Sequence, residues 1–438
     1  MSRLVILIII LLLLVLLFYK NIIILDFWIS LEDPIYRWIF PLIFILLFSL
    51  TLFISNVNQV FFLINFSAVL IALYLTEYIL IKRTVTDIHE NYAKGQGIPF
   101  DSRSFSEVLN EKKSVGTISH AFTKGNLFQQ NKEDYFSLAS HSNTSIVHCN
   151  EAGEWVFFQS DEYGFNNPLG SFDKSFYQII GIGDSFTSGY CVPENYSFMS
   201  LIKKEYPLTL NLGVTGTGPL HQLAILKEYV SSLKPKVILW NFFEGNDLQE
   251  LDMENKNIFL KNYLKIDHSQ KLKEKQLHIN KSIIERNKEK DFSREEPRKN
   301  FSIGKFVFLD ALRTHLGLYK QTKKTKRFDL NLLESILTMA RDFTEEIGAE
   351  MIFVYIPSVD RSLGFRGRHT KNHYKDDIIK LVKNLNISLI DISPTISDHV
   401  DPLSLYNSRI GYHFNRSGNK LLSEIILDSL IHIDSLHE

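Results

Sequence analysis

The stretch "YQIIGIGDSFTSGY", residues 177–190, decides how the rest of the chain is read. An apolar run from Tyr177 to Ile182 breaks into Gly183, Asp184 and Ser185, followed at once by Thr187, Ser188 and Gly189. This is the composition of a buried strand turning into a helix, the place where open α/β sheets present chemistry. The glycines do not form a dinucleotide fingerprint, because Phe186 stands where G-x-G-x-x-G needs its third glycine, and no Gly-Lys-Ser/Thr follows to cradle a phosphate. The G-x-S-x-G elbow fails as well, since Thr187 occupies its last glycine position. A serine at the end of a strand still suits nucleophilic catalysis, provided that a base and oxyanion donors arrive from other loops.

Downstream, strand-like and helix-like segments alternate. "LTLNLGV" at 208–214, "KVILWNFF" at 236–243, "EMIFVYIP" at 350–357 and "ISLIDIS" at 387–393 follow the first strand. Between them Leu223, Leu226, Val230 and Leu233 share one helical stripe, as do Leu333, Ile336, Met339, Phe343 and Ile347. Near-continuous apolar strands separated by amphipathic helices predict a three-layer α/β/α domain with a five-stranded parallel sheet. The segment between Asp247 and Leu330 interrupts the pattern. Its stretch "HSQKLKEKQLHINKSIIERNKEKDFSREEPRKN", 268–300, is rich enough in charge to predict a solvated helix and linker, with a lid over the site as the sharper alternative. Upstream, "TSIVHCNEAGEWVFFQSDEYGFNNP", 144–168, reads as a β-hairpin turning at Glu151 to Glu154.

The N-terminal part has another character. "LVILIIILLLLVLLF" at 4–18, "WIFPLIFILLFSLTLFIS" at 38–55 and "VFFLINFSAVLIALYLTEYILI" at 60–81 are near or above the roughly 18 apolar residues that argue for a bilayer span. They predict three transmembrane helices, and Glu77, within one or two turns of Lys82 and Arg83, is expected to snorkel to the interface. The expected organisation is a membrane anchor over 1–83, a lead-in with the hairpin over 84–170, and a catalytic domain over 171–438 with its charged helical insertion at about 250–328. A formal net charge of −1 in 438 residues, with neither a zinc-type cysteine spacing nor a basic aromatic patch, excludes nucleic acid as the expected partner. No cofactor or metal motif is present. Cys149 and Cys191 allow one optional disulfide and leave the redox compartment undecided.

Other loops supply the remaining parts. "NLGVTGTGP" after the second strand lets backbone come close to a ligand and expose N–H groups. "FFEGNDL" after the third carries an asparagine side chain able to donate to an oxyanion. "GYHFNRSGNKLLSEII", near the C-terminus, places His413 before a helix. Most other histidines, such as His221, His369 and His373, are expected to be surface or structural groups. Gly183-Asp184-Ser185, Gly216, Gly245-Asn246-Asp247 and His413, in this order, resemble the SGNH/GDSL hydrolase superfamily, over roughly residues 161–430. "DEYGFNNP" and "EGNDLQEL" also resemble its bacterial membrane-anchored members.

The resemblance implies a flavodoxin-like hydrolase domain with Ser185 as nucleophile and His413 as base. It implies an oxyanion hole made by the Ser185 and Gly216 backbone N–H groups with the Asn246 side chain, while Asp184 and Asp247 belong to the motifs without a required catalytic part. One position departs. Ile410 stands where most members carry the aspartate that orients the histidine, so Asp401 or Asp398 is the expected substitute, unless a backbone carbonyl leaves a serine–histidine dyad. The implied activity is a membrane-anchored serine esterase acting on an O-acyl, chiefly acetyl, ester of a glycan or lipid-linked substrate. An O-acyltransferase on a cell-surface glycan uses the same parts, and an inert binding module is the reading from another class. The flanking charges Lys20, Arg37, Lys82 and Arg83 point the large domain to the cytoplasm, whereas related bacterial proteins often handle extracytoplasmic glycans, so the side of the membrane stays open.

Overall fold

The computed structural model describes residues 3–8, 10–11, 40–82, 85–112, 118–119, 135–289, 306, 309–316, 328–362, 374–409, 411 and 413–436. They form two compact units, Met1–Thr84 with Lys299–Lys326, and Val85–Arg298 with Arg327–Glu438.

In the first unit, helix Phe40–Thr51 is followed by helix Asn56–Lys82. Gln59 ties the turn between them by donating to the Thr51 and Ile54 carbonyls, and Phe48 packs edge-on against Phe62 and Phe66. Among the described residues only Asn56–Lys82 is long and apolar enough to cross a membrane. Of the other two expected spans, the second is described only as helix Phe40–Thr51, with Trp38 and Ile39 ahead of it outside the described residues. Most of the run at 4–18 lies outside the described residues. Glu77 does not snorkel. It is fully buried and accepts the backbone N–H groups of Ala311 and Leu312 at 2.8 and 2.7 Å, at the start of the short helix Asp310–His315, whose first N–H groups have no partner within the helix.

The second unit holds the predicted sheet. Strands β1 (Ser145–Cys149) and β2 (Val156–Gln159) form the antiparallel hairpin, with Ile118–Ser119 added parallel to β1. Strands β3 (Tyr177–Gly183), β4 (Thr209–Asn211), β5 (Pro235–Phe243), β6 (Glu350–Ile356) and β7 (Ser388–Asp391) form a separate parallel sheet in the order β4-β3-β5-β6-β7. Counted within that sheet the order is 2-1-3-4-5, the doubly wound flavodoxin-like arrangement. Alternate residues face opposite layers, as strand geometry requires. Ile180, Ile182, Ile238, Trp240 and Phe353 pack against Leu223, Leu333 and Ile336 of helices Pro219–Ile225 and Leu330–Glu346. Ile179, Val237, Leu239, Ile352 and Val354 pack on the other side against Phe198, Ile202, Leu422 and Ile426 of helices Phe198–Glu205 and Arg416–Leu436.

The insertion after Asp247 is less solvated than its charge suggests. Leu260, Tyr263, Leu272, Ile279 and Ile283 join the main core, and the Tyr263 hydroxyl donates to Glu228 at 2.6 Å. Widely spaced apolar residues on short helices bury one face while the intervening charges stay outside. The stretch from 290 to 305 lies outside the described residues.

Candidate active site

Strand β3 ends at Gly183, and Asp184 caps the short helix Ser185–Ser188 by accepting the Phe186 N–H at 3.0 Å. Position 183 must be glycine: a Cβ there would lie 2.2 Å from Thr187 Oγ1 and 2.9 Å from the Asn241 carbonyl oxygen. Without it, the turn folds tightly back and holds Ser185 at the mouth of the sheet. Ser185 Oγ lies 3.0 Å from His413 Nε2 and 3.2 Å from Asp184 Oδ2, two acceptors within reach of its one hydrogen. Burial pushes the Asp184 carboxyl up to about 6 against the opposing pull of the Phe186 N–H.

His413 comes from the loop before helix Arg416–Leu436. The Asn407 N–H donates to its carbonyl at 3.1 Å, and its ring lies between Phe186 and Tyr190 at centroid distances of 5.4 and 4.9 Å. Its Nδ1 lies 2.9 Å from Oε1 of Glu151. A carboxylate on Nδ1 selects the tautomer with the proton there, leaving Nε2 as the acceptor facing the serine. Burial disfavours the imidazolium, but the charge and hydrogen bond of Glu151, with the charge of Asp184, outweigh it and leave the His413 pKa raised. The Glu151 pKa is lowered for the complementary reason: burial pushes it up, and His413, Asn407 and His89 bring it down further.

Glu151 is the residue that sequence reasoning missed. It sits in the β1–β2 turn, where Ser408 Oγ donates to its carbonyl at 3.1 Å and Asn407 Nδ2 to its carboxylate at 3.4 Å. Asp401, the expected partner of His413, is turned away: its carboxylate binds the Arg409 guanidinium at 2.5 and 2.8 Å and is 42 % exposed. Asp398 ends the helix Ser393–Asp398, and the carboxylate on Nδ1 is not its own. Ile410 lies outside the described residues. One signal in the chain itself points to Glu151: it closely follows Cys149, one of only two cysteines, and the other, Cys191, follows the turn that carries Ser185. The two form a disulfide with Cα atoms 5.4 Å apart. Ligand atoms of Glu151, Cys191 and His413 lie within 4.8 Å of one another, yet the sulfur is bonded to Cys149 and Nδ1 to Glu151, so this set does not fit a metal ion.

Gly216 and Asn246 follow β4 and β5, the two strands that flank β3. Gly216 has φ 76°, a left-handed conformation that favours glycine, with open space where a side chain would project. Its loop is braced by the buried Glu254, which accepts the N–H groups of Gly218, Leu220 and His221 and whose pKa burial pushes up to about 8. Asn246 precedes helix Asp247–Glu254 but makes no side-chain cap bond, and its buried Oδ1 has no partner among the described residues. Asp247 is structural in its contacts: buried, it accepts the Phe243 N–H at 3.1 Å, and burial with the charge of Asp184 raises its pKa well above the carboxylate range. His221 is structural as expected, fully buried with Nε2 2.8 Å from the Leu138 carbonyl oxygen and its pKa pushed down to about 4 by burial. A small, partly open hollow is lined by Gly245, Asn246, Gln249, Phe328, Tyr355 and Tyr374.

No family model and no curated protein matches the sequence. Among solved structures, the chain is similar to the lipase/acylhydrolase from Enterococcus faecalis at 14 % identity and a TM-score of 0.33, over 58 % of this chain and 95 % of that one. It is similar to the psychrotrophic esterase EstA from a Pseudoalteromonas species at 11 % identity and a TM-score of 0.31, over 60 % and 100 %. A variant of an acetyl xylan esterase from Geobacillus stearothermophilus gives 15 % identity and a TM-score of 0.32, over 57 % and 93 %. The chain is thus a doubly wound α/β protein that carries Ser185, His413 and the Glu151 carboxylate in one hydrogen-bonded row.

Proposed function

We propose that this protein is a serine ester hydrolase whose catalytic residues are Ser185, His413 and Glu151. The observation that carries the reading is the row Ser185 Oγ, His413 Nε2, His413 Nδ1, Glu151 Oε1, with contacts of 3.0 and 2.9 Å. His413 takes the hydroxyl proton as Ser185 Oγ attacks the ester carbonyl. Glu151 stays ionised and stabilises the imidazolium. The tetrahedral oxyanion is received by the Ser185 and Gly216 N–H groups and the Asn246 side chain, and His413 then protonates the departing alkoxide. Water, activated by the same imidazole, releases the acid from acyl-Ser185.

The substrate we favour is an O-acyl, chiefly acetyl, ester of a glycan or lipid-linked molecule. Helix Asn56–Lys82 supports a membrane-anchored enzyme, by its length and apolar composition. The test is turnover of a chromogenic acetate ester by the protein in detergent, followed by mass analysis of the peptide carrying Ser185 after fluorophosphonate treatment. Acetate release with a label on Ser185 is expected. With excess acceptor sugar, acetylated sugar in place of free acetate would convert the reading to acyl transfer. An intact fold without label or turnover would leave an inert module. Asn246→Ala should lower kcat by about 3 kcal/mol of transition-state stabilisation, the size found for one oxyanion donor, with little change in KM. A rate within twofold of the parent would remove Asn246 from the oxyanion hole.

A further inference from the structure

The acid of the proposed triad stands on a hairpin outside the five-stranded sheet, in a small sheet whose third strand is only the two residues Ile118–Ser119. The hairpin meets the loops around His413 through Ser408 Oγ on the Glu151 carbonyl at 3.1 Å, Asn407 Nδ2 on its carboxylate at 3.4 Å, and an Arg416–Glu154 ion pair, 2.8 Å long and about half exposed on both sides, which contributes little. The disulfide is different in kind. Cys149 lies on β1 just ahead of Glu151, and Cys191 follows Ser185 on the nucleophile segment, so one covalent bond joins the chain that carries the acid to the chain that carries the nucleophile. Its surroundings belong to the same site. Asn407 Nδ2 lies 3.4 Å from Glu151 Oε2 and 3.5 Å from the Cys191 carbonyl oxygen. Tyr190 packs at 4.9 Å on His413 and at 4.8 Å on His148, so the chain neighbours of the two cysteines touch each other and one of them touches the imidazole. Both sulfur-bearing residues are buried, Cys149 at 7 % and Cys191 at 1 % exposure.

We infer that Cys149 and Cys191 are positioning residues for the reaction: their disulfide holds the Glu151 carboxylate on His413 Nδ1, so full turnover needs the oxidised protein. The inference rests on the triad reading above. A displacement of about 1 Å in a positioned group can cost roughly a hundredfold in rate, and the 2.9 Å contact to Nδ1 leaves no slack for a hairpin that drifts. Reduction proceeds by thiol–disulfide exchange with a dithiol: the S–S bond breaks, Cys149 and Cys191 each gain a hydrogen as thiols, and the dithiol loses two electrons and two protons as it closes to its own disulfide.

The experiment uses the full chain in detergent, reduced with dithiothreitol after folding, with thiols counted under denaturing conditions before and after. No free thiol is expected at first and two after reduction. With the reduced protein kcat on a chromogenic acetate should fall roughly ten- to a hundredfold while KM stays within about twofold, and reoxidation should restore it. The readout that a purely structural bridge would not move is coupling: in a Glu151→Gln protein, reduction should cost no further rate, because the group it displaces is already gone. The pair Cys149→Ala with Cys191→Ala should reproduce the reduced state. Undiminished kcat with two thiols titrated overturns the inference, as does an equal loss on reduction with and without Glu151→Gln. A Glu151→Gln protein as fast as its parent overturns the triad itself and this inference with it.

Discussion

Ser185→Ala is expected to lower kcat by roughly a millionfold, the loss seen when a serine nucleophile acting in a unit with its base is removed, and to abolish fluorophosphonate labelling. The residual rate should still exceed that of water, because the oxyanion donors remain in place. The fold should survive. Ser185 is buried, and the hydroxyl makes its contacts to Asp184 and His413 alone among the described residues, while the helix it opens is capped by Asp184. Removing the hydroxyl leaves Asp184 Oδ1 on the Phe186 N–H and Nδ1 of His413 on Glu151. The measurement is kcat for acetate release together with the thermal midpoint. A midpoint within a few degrees and a rate below a thousandth of the parent identify a nucleophile. A retained rate, or label found on another serine with Ser185 intact, removes the esterase reading whatever the fold resembles.

The sheet was legible because its strands are buried on both faces and therefore read as unbroken apolar runs, a signal that survives without any tertiary knowledge. The places of Ser185, Gly216, Asn246 and His413 in the fold were legible for a related reason: each follows a strand or precedes a helix that local pattern already locates. Glu151 was not. Its role depends on a contact between a hairpin turn and a loop 262 residues away, and nothing in the local sequence of a turn states what it faces. Asp401 attracted attention by proximity along the chain, yet an aspartate beside Arg409 has a nearer partner, and the exposed pair forms. Composition shows the charged helix of the insertion, Gln276–Glu289, but not the few apolar residues, Leu260, Tyr263 and Leu272 among them, that enter the core, because charges outnumber them. The membrane side was argued from flanking basic residues, of which only Lys82 is described. The disulfide adds a physical argument of opposite sign, because such bonds persist in oxidising compartments rather than in the cytoplasm.

Glu151→Gln is expected to lower kcat by about 10³- to 10⁴-fold, while Asp401→Asn leaves it within twofold. The glutamine is nearly isosteric and still reaches Nδ1, but its amide can present N–H to the ring as readily as oxygen, and the tautomer with the proton on Nε2 then faces the serine. That tautomer cannot take the Ser185 proton. Asp401, paired with Arg409 at the surface, has no contact among the described residues through which to influence the imidazole. The pH profile separates a lost orienting charge from general damage. Glu151 raises the His413 pKa in the parent protein, so the base is protonated and idle up to a higher pH than an ordinary histidine would be. kcat/KM should therefore rise with an inflection above the usual histidine value of about 6.5. Without the carboxylate, burial, the largest influence, is opposed only by the charge of Asp184 and the pKa falls, so the residual activity of Glu151→Gln should persist to lower pH than that of the parent. An inflection that stays in place with a reduced plateau would mean that Glu151 braces the loop without touching the charge on His413. A profile and rate both unchanged in Glu151→Gln, with Asp401→Asn impaired, would return the role to the residue nearer in sequence and show that the hairpin only covers the site.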